Sequence, residues 1–128
     1  MKILTLITNG ERHTIDKNVT IFGRSKEKCD VVISENLLVS KTHFSIIKDH
    51  NGDFLIKNNK STNGTHVGDI FLSDDMQSTL KNGDVIKIGS KKETVEITVE
   101  IIEDNDNGEL ELAPENEDKD GTAIKQAL

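Results

Sequence analysis

The sequence predicts an all-β protein folded as an antiparallel β-sandwich, and three observations support this prediction. Short apolar runs, alternating or β-branched, recur at spacings of roughly 8–12 residues. Asn-Gly pairs, in which both residues tolerate the positive φ of tight hairpin turns, occur five times in the 128-residue chain. No window carries apolar residues at the spacing of an amphipathic helix face. We therefore expect about ten short strands, each with one face buried between two sheets.

The predicted strands follow one another between turn signals. The run KILTLIT opens the chain and is joined to ERHTI by Asn9-Gly10, which predicts a hairpin. A second hairpin joins HFSIIKD to DFLIKN around Asn51-Gly52. Further strands are predicted, in chain order, at VTIF (19–22), DVVI (30–33), THV (65–67), DIFL (69–72), DVIKI (84–88) and ETVEITVEII (93–102). Because Trp and Tyr are absent, we expect a mainly aliphatic core.

The charge of the chain is concentrated at its C-terminal end. Residues 1–102 contain 14 basic and 14 acidic residues, whereas residues 103–128 contain nine acidic and two basic residues. We predict a folded domain over residues 1–103 and an acidic, mostly disordered tail over residues 104–128, since the tail has too few apolar residues to offset its chain entropy. A small hairpin around Asn107-Gly108, from Ile101-Ile102 to Leu110–Leu112, is the one element expected there.

Composition argues against several classes of protein. One cysteine, Cys29, excludes an internal disulfide and with it a secreted disulfide scaffold. Neither a signal peptide nor a membrane-spanning segment is recognisable, so we expect an intracellular monomer, cytoplasmic or nuclear, that does not bind membranes. The chain has four Phe, no Trp or Tyr and no basic stripe, so nucleic-acid binding is not expected.

The sequence predicts no metal site, cofactor or catalytic centre. The stretch EDNDNGELELAP is similar to a calcium-binding loop, but it places Pro114 where a bidentate Glu is required. The four histidines have no Cys, His or carboxylate partner at ligand spacing. No nucleophile motif surrounds any Ser, His or Asp. We therefore predict that the protein is not an enzyme.

Polar residues suited to phosphate binding lie in three separate segments between predicted strands. Arg24 lies in the first segment, Ser40 and Lys41 in the second, and Thr62 and Asn63 in the third. In a sandwich the loops gather at the two ends, where rigid strands position them for binding. A guanidinium makes bidentate bonds to phosphate, hydroxyl and ammonium groups add donors, and an amide both donates to and accepts from a peptide backbone.

Each of these residues alone has a simpler explanation. Arg24 would form a surface salt bridge with Glu27 or Asp30, Ser40 would cap a turn, and Asn63-Gly64 would be one more hairpin turn. Only their joint occurrence favours a binding site. A phosphorylated side chain brings about −1.5 to −2 charge and three strong acceptors at neutral pH, which this set of donors would satisfy.

The chain resembles a forkhead-associated (FHA) domain over residues 2–102. The resemblance rests on GRS, CDVVI, VSKTHFSI, GDFLIKNNKSTNGTHVG and LKNGDVIKIG, which contain the family signature Gly-Arg, Ser-x-x-His and Asn-Gly in that order. It implies an eleven-stranded sandwich that binds phosphothreonine peptides through loops at one end. It also implies a preference for phosphothreonine over phosphoserine, because the extra methyl group fills a small apolar gap.

The resemblance implies a role for each matching polar residue. Arg24 and Ser40 would contact the phosphate, and Lys41 lies where many members place Asn, Arg or Lys that also reach it. Thr62 would add a phosphate or peptide contact, and Asn63 would bond the peptide main chain beside the phosphothreonine.

Three further residues would support the site without touching the ligand. The resemblance implies a turn at Gly23, a hydrogen bond between loops from His43, and a backbone position of positive φ at Gly64. Two alternatives stay open: a phosphate-independent interaction domain, and regulation by the acidic tail. Thr122 is the one hydroxyl residue of that tail, and phosphorylated Thr122 is a candidate ligand for the domain's own site or a neighbour's, with a merely solubilising tail as the simpler explanation.

Overall fold

The computed structural model describes residues 2–89, 92–104 and 110–112, and within these ranges the chain forms twelve strands and no helix. The strands are β1 (Lys2–Thr8), β2 (Glu11–Thr14), β3 (Val19–Gly23), β4 (Val31–Val32), β5 (Phe44–Lys48), β6 (Phe54–Asn58), β7 (Thr65–Val67), β8 (Ile70–Leu72), β9 (Gln77–Thr79), β10 (Val85–Gly89), β11 (Thr94–Asp104) and β12 (Leu110–Leu112). The predicted all-β fold class is confirmed.

The strands form two sheets. The seven-stranded sheet has the order β2-β1-β11-β10-β7-β8, with β12 added on β11, and the five-stranded sheet has the order β4-β3-β5-β6-β9. Every pairing is antiparallel except that of β3 with β4, which is parallel. The exception arises because β4 returns to the free edge of β3 rather than continuing a hairpin.

Turn chemistry accounts for three of the Asn-Gly pairs. Asn9 and Gly10 both have positive φ, 52° and 79°, as a two-residue type I′ turn between β1 and β2 requires. At Asn51-Gly52 and Asn82-Gly83 only the glycine has positive φ, 86° and 91°. These pairs occupy longer turns, in which the glycine alone supplies the left-handed conformation.

The core lies between the two sheets and is mainly aliphatic, as predicted. At its centre the rings of Phe22 and Phe44 stack with centroids 5.0 Å apart. Burying one such side chain contributes about 1.5–3 kcal/mol. The buried apolar residues are Leu4, Leu6, Phe22, Ile33, Val39, Phe44, Ile46, Phe54, Ile56, Val67, Leu72, Leu80, Ile86, Ile88, Ile97, Val99 and Ile101.

The C-terminal hairpin expected at residues 101–112 forms between β11 and β12, with Ile102 opposite Leu112. The turn predicted at Asn107-Gly108 lies outside the described residues. So does most of the predicted disordered tail, of which the structure describes only Asp104 and β12.

Strand register brings three loops to one end of the sandwich. Phe22 of β3 lies opposite Phe44 of β5, and Phe44 lies opposite Asn58 of β6. The segments that follow β3, precede β5 and follow β6 therefore leave the sheet side by side. These are the three segments that carry the predicted binding residues.

Candidate functional site

The three segments are joined by hydrogen bonds around Ser40. The amide of Arg24 donates to the Ser40 carbonyl at 3.0 Å, and the amide of Thr62 donates to the Ser40 Oγ at 3.1 Å. The amide of Ser25 also donates to the Lys41 carbonyl, at 3.3 Å. We call residues 24–25, 38–43 and 61–64 the loop cluster. All five predicted binding residues belong to it.

Gly23, directly before the first segment of the loop cluster, permits a close approach of the second segment. A methyl group built on Gly23 would collide with the backbone carbonyl of Lys41 and approach that of Ser40. Gly23 is the last residue of β3 rather than the turn residue that the resemblance implied. A glycine is needed there because the second segment passes directly over its Cα.

The side chain of Arg24 is anchored through only one of its three nitrogens. Its Nε donates to the Val39 carbonyl at 2.8 Å, and its terminal NH2 groups have no partner among the described residues. The surface salt bridge with Glu27 or Asp30 that offered a simpler explanation is formed with neither residue, and Asp30 pairs instead with Lys17 at 2.7 Å. Bonds from Lys17 and from the Ile21 amide lower the pKa of Asp30. The guanidinium is therefore held in place with its paired donors available for an anion.

Three other residues of the loop cluster, Ser40, Lys41 and Thr62, carry hydroxyl and ammonium donors. The Ser40 Oγ accepts from the Thr62 amide, so its own proton remains to be donated. Lys41 and Thr62 are exposed, and their side-chain polar atoms have no partner in the described part of the chain. Together with Arg24, these residues form a set of donors suited to a tetrahedral anion.

Asn63 is fixed across the loop cluster through its side chain. Its Nδ2 donates to the Leu38 carbonyl at 2.9 Å, and the side chain is partly buried. The Oδ1 atom and the second N–H of the amide have no partner within the described ranges. An acceptor and a donor are thus held side by side, as the pairing with an extended peptide backbone requires.

His43 connects the second and third segments from the buried side of the loop cluster. The ring is fully buried, its Nδ1 accepts from the Ser40 amide at 2.9 Å, and its Nε2 lies 2.8 Å from the Gly64 carbonyl. Because Nδ1 accepts, the proton must be on Nε2, which donates to Gly64. Burial lowers the pKa of His43, although the bond to Gly64 opposes this shift. The ring is therefore neutral, and it has the inter-loop role that the resemblance implied.

A buried polar network that the sequence did not predict shapes the third segment. The Asn58 Oδ1 accepts from the Ser61 Oγ at 2.6 Å and from the Thr65 Oγ1 at 2.9 Å. The Ser61 Oγ in turn accepts from the Gly64 amide at 3.1 Å, and Gly64 has the expected positive φ of 71°. The three-residue spacing of Asn58 and Ser61 is typical of turns capped by a side chain. It is the feature of the sequence from which this network could have been predicted.

Other kinds of site are not found in the described part of the chain. There, no three His, Cys, Asp or Glu side chains are grouped as a metal ion would require. No helix in the described ranges is long and apolar enough to cross a membrane. Thr122 lies outside those ranges, so its predicted regulatory role stays a prediction.

A protein-family comparison matches the region that contains the loop cluster. The model described as FHA domain matches residues 20–89, which is more than half of the 128-residue chain. This range begins in β3 and ends with β10, so it includes every residue of the loop cluster.

Several solved structures of FHA domains have folds similar to that of this chain. The N-terminal FHA domain of Rad53p from S. cerevisiae, in complex with a phosphothreonine peptide, is 20% identical with a TM-score of 0.66, over 76% of this chain and 91% of that one. An FHA domain of an Arabidopsis thaliana hypothetical protein is 26% identical with a TM-score of 0.67, over 76% and 83%. A third, from work on phosphothreonine-dependent FHA domain interactions, is 27% identical with a TM-score of 0.61, over 76% and 94%.

Proposed function

The chain belongs to the FHA domain family, and we propose that it is a signalling adaptor that binds threonine-phosphorylated proteins through the loop cluster. FHA domains are interaction modules rather than enzymes. The proposal places the protein inside the cell, in the cytoplasm or the nucleus, as a monomer whose partners carry phosphothreonine. It needs no cofactor, metal, nucleic acid or membrane.

One observation above all supports this function: three loops are bonded together so that donors without partners are grouped around Ser40. In the proposal, the terminal nitrogens of Arg24 and the hydroxyl of Ser40 bind the phosphate, with Lys41 as a second cation. No acidic side chain pairs with Arg24 or Lys41 in the described ranges, so the positive charge is available to a dianion. Thr62 adds a further hydroxyl donor.

Asn63 in this proposal binds the main chain of the peptide beside the phosphothreonine. Its Nδ2 is already bonded to Leu38, which fixes the amide before the ligand arrives. A ligand group that meets a pre-ordered partner avoids the entropy cost of ordering it. Gly23, His43 and Gly64 contribute indirectly by holding the three segments together.

The number of donors predicts a modest affinity. Each charge-assisted hydrogen bond contributes about 1.5–3 kcal/mol before the cost of ordering the peptide. Three or four such bonds, less that cost, correspond to a dissociation constant in the micromolar range.

A phosphothreonine peptide library, screened with matched unphosphorylated peptides, tests the function directly. We expect micromolar binding by calorimetry that disappears when the phosphate is removed. When phosphoserine replaces phosphothreonine, we expect the dissociation constant to rise about tenfold or more. Equal binding with and without phosphate would support the alternative, a phosphate-independent interaction domain, and would overturn the proposal.

The variant Arg24→Ala tests the assignment of the phosphate site. Because it removes the main counter-charge of the phosphate, we expect binding to fall below detection, while circular dichroism shows a folded protein. Lys17→Ala is a matched control, since it removes a cation whose partner is Asp30 rather than the ligand. Unchanged affinity in folded Arg24→Ala would show that the phosphate binds elsewhere.

A further inference from the structure

Phe71 differs from the other phenylalanines of the chain. Of the four, Phe22, Phe44 and Phe54 are at most 2% exposed, whereas Phe71 is 47% exposed. Phe71 lies on β8, an edge strand of the seven-stranded sheet. Exposed apolar residues on an edge strand favour aggregation, so natural edges usually carry charged residues instead. Core packing alone therefore does not explain the aromatic ring at this position.

The Phe71 ring lies against the backbone of Gly64 in the loop cluster. A methyl group built on Gly64 would collide with two outer carbons of the ring, Cζ and Cε1. The ring also contacts His66, its cross-strand neighbour, with centroids 4.7 Å apart and planes inclined at 48°. Phe71 thus covers the Cα of Gly64 and is itself supported by a second ring.

The other contacts of Gly64 come from the interior. Its amide is bonded to Ser61 and its carbonyl to His43, and a methyl group built on it would also approach the Leu72 carbonyl; all three residues are buried. Phe71 is the partly exposed neighbour, so it contacts the turn from the surface side. Gly64 is held between the buried polar groups and the phenyl ring, and this fixes the backbone immediately after Asn63.

We propose that Phe71 is a positioning residue for the phosphopeptide site, an inference that rests on the proposed function. By holding Gly64, it holds the adjacent Asn63 and Thr62, neither of which is in the buried class. Their remaining anchors in the described chain are single hydrogen bonds, from the Asn63 Nδ2 to Leu38 and from the Thr62 amide to Ser40. Without the ring, the turn would sample more conformations, and the peptide would have to order it on binding.

Phe71→Ala tests the proposal, with a phosphothreonine peptide that the wild-type protein binds as the probe. We expect the dissociation constant from calorimetry to rise about 3- to 10-fold, the range expected when one loop residue must be ordered on binding. Phe71→Met keeps an apolar side chain of similar length without adding a hydroxyl at Cζ, where it would approach Gly64, and is expected to bind within about threefold of wild type. Phe71→Leu is a milder variant, expected to bind with intermediate affinity, should the alanine variant fold poorly.

Ile70→Ala is the matched control. Ile70 precedes Phe71 on the same edge strand and is 51% exposed, but it lines the groove with Val67 on the other side of the strand. We expect its removal to leave phosphopeptide affinity unchanged. Equal weakening by both variants would mean that any loss of apolar surface from the edge strand affects binding, and it would overturn the specific role of Phe71.

Amide hydrogen exchange separates positioning from a general loss of stability. In Phe71→Ala we expect faster exchange at the Gly64 amide, while core amides such as those of Ile86 and Val99 keep the wild-type rate. If the wild-type protein bound no phosphothreonine peptide, the proposed function would fail, and the exchange at Gly64 would still test the effect of the ring. If wild type binds and Phe71→Ala changes neither affinity nor Gly64 exchange, the positioning role is wrong.

Discussion

At the scale of single residues, the loop cluster depends on His43 in its neutral form. Nδ1 must accept from the Ser40 amide while Nε2 donates to the Gly64 carbonyl. Protonation of Nδ1 would place two N–H groups face to face in a buried position. Burial lowers the pKa of His43 below the ordinary value near 6.5, which favours the neutral form that these two bonds require.

This dependence predicts how stability changes with pH. A histidine with a lowered pKa in the folded state contributes stability fully above about pH 6.5, and this contribution is lost as pH falls from there toward the folded-state pKa. We expect the free energy of unfolding, measured in urea, to decrease between pH 7 and pH 5. His43→Asn should show less of this decrease, whereas the exposed His50→Asn should show all of it. An identical pH profile for His43→Asn and wild type would contradict the prediction.

Asn63 and Asn51 provide a second prediction at this scale, because both precede glycine but have different surroundings. Asn63 donates across the loop cluster to Leu38, whereas Asn51 is exposed in the turn between β5 and β6. We expect Asn63→Ala to weaken phosphopeptide binding about tenfold, since it removes one ligand bond and one positioning bond. Asn51→Ala should bind like wild type. Equal affinities in titration calorimetry would show that Asn63 is only a turn residue.

At the scale of strands and loops, alternation and turn chemistry were sufficient to predict most of the fold. β9 was missed because Gln77–Thr79 contains no apolar residue, and it becomes a strand only because it pairs with β6. The parallel pairing of β3 with β4 was also unforeseen, since local sequence carries no signal for it. Neighbouring strands, rather than the intrinsic preferences of the residues, decide both cases.

The site was predictable to a similar extent. Side chains that bind phosphate have a recognisable chemistry, so Arg24 and Ser40 could be proposed from the sequence. The bonds that orient Arg24 and Asn63 go to the carbonyls of Val39 and Leu38, which any residue type would offer. Hydrogen bonds to backbone carbonyls cannot be predicted from residue types, so these two are visible only in the structure.

The crossing of the second segment over β3 predicts a large effect of Gly23→Ala. Since the added methyl group would meet backbone rather than a flexible side chain, the loop must move. We expect the free energy of unfolding to fall by about 1–3 kcal/mol, the usual cost of overpacking, and phosphopeptide binding to be lost with it. Gly10→Ala is the comparison, because nothing lies near its added methyl group and only the strain of positive φ, about 1–2 kcal/mol, is expected. Gly10→Ala should therefore bind like wild type, and intact binding by Gly23→Ala would contradict the close approach.

At the scale of the whole molecule, the proposed site and β12 lie at opposite ends of the same strand, β11. β11 begins beside the residues that precede the second segment, where the Asn36 Nδ2 donates to Glu93 at 2.7 Å, and its far end pairs with β12. The last residue of β12, Leu112, lies opposite Ile102, eight residues along β11 from Thr94, which is about 26 Å at about 3.3 Å per residue. That distance is several times the screening length of about 8 Å at physiological salt.

This separation predicts that residues 113–128 act independently of phosphopeptide binding. Deleting them keeps the hairpin of β11 and β12 and removes four acidic and two basic residues. Because the deletion begins after Leu112, about 26 Å along β11 from the end that adjoins the loop cluster, we expect the dissociation constant at physiological salt to stay within about twofold and the unfolding temperature within about 2 °C. Calorimetry and thermal unfolding of the full and shortened chains, side by side, measure both. Binding that strengthens threefold or more on deletion would instead show that the segment returns to the loop cluster and competes with the ligand, and phosphorylation of Thr122 in the full chain would then be the next variable to change.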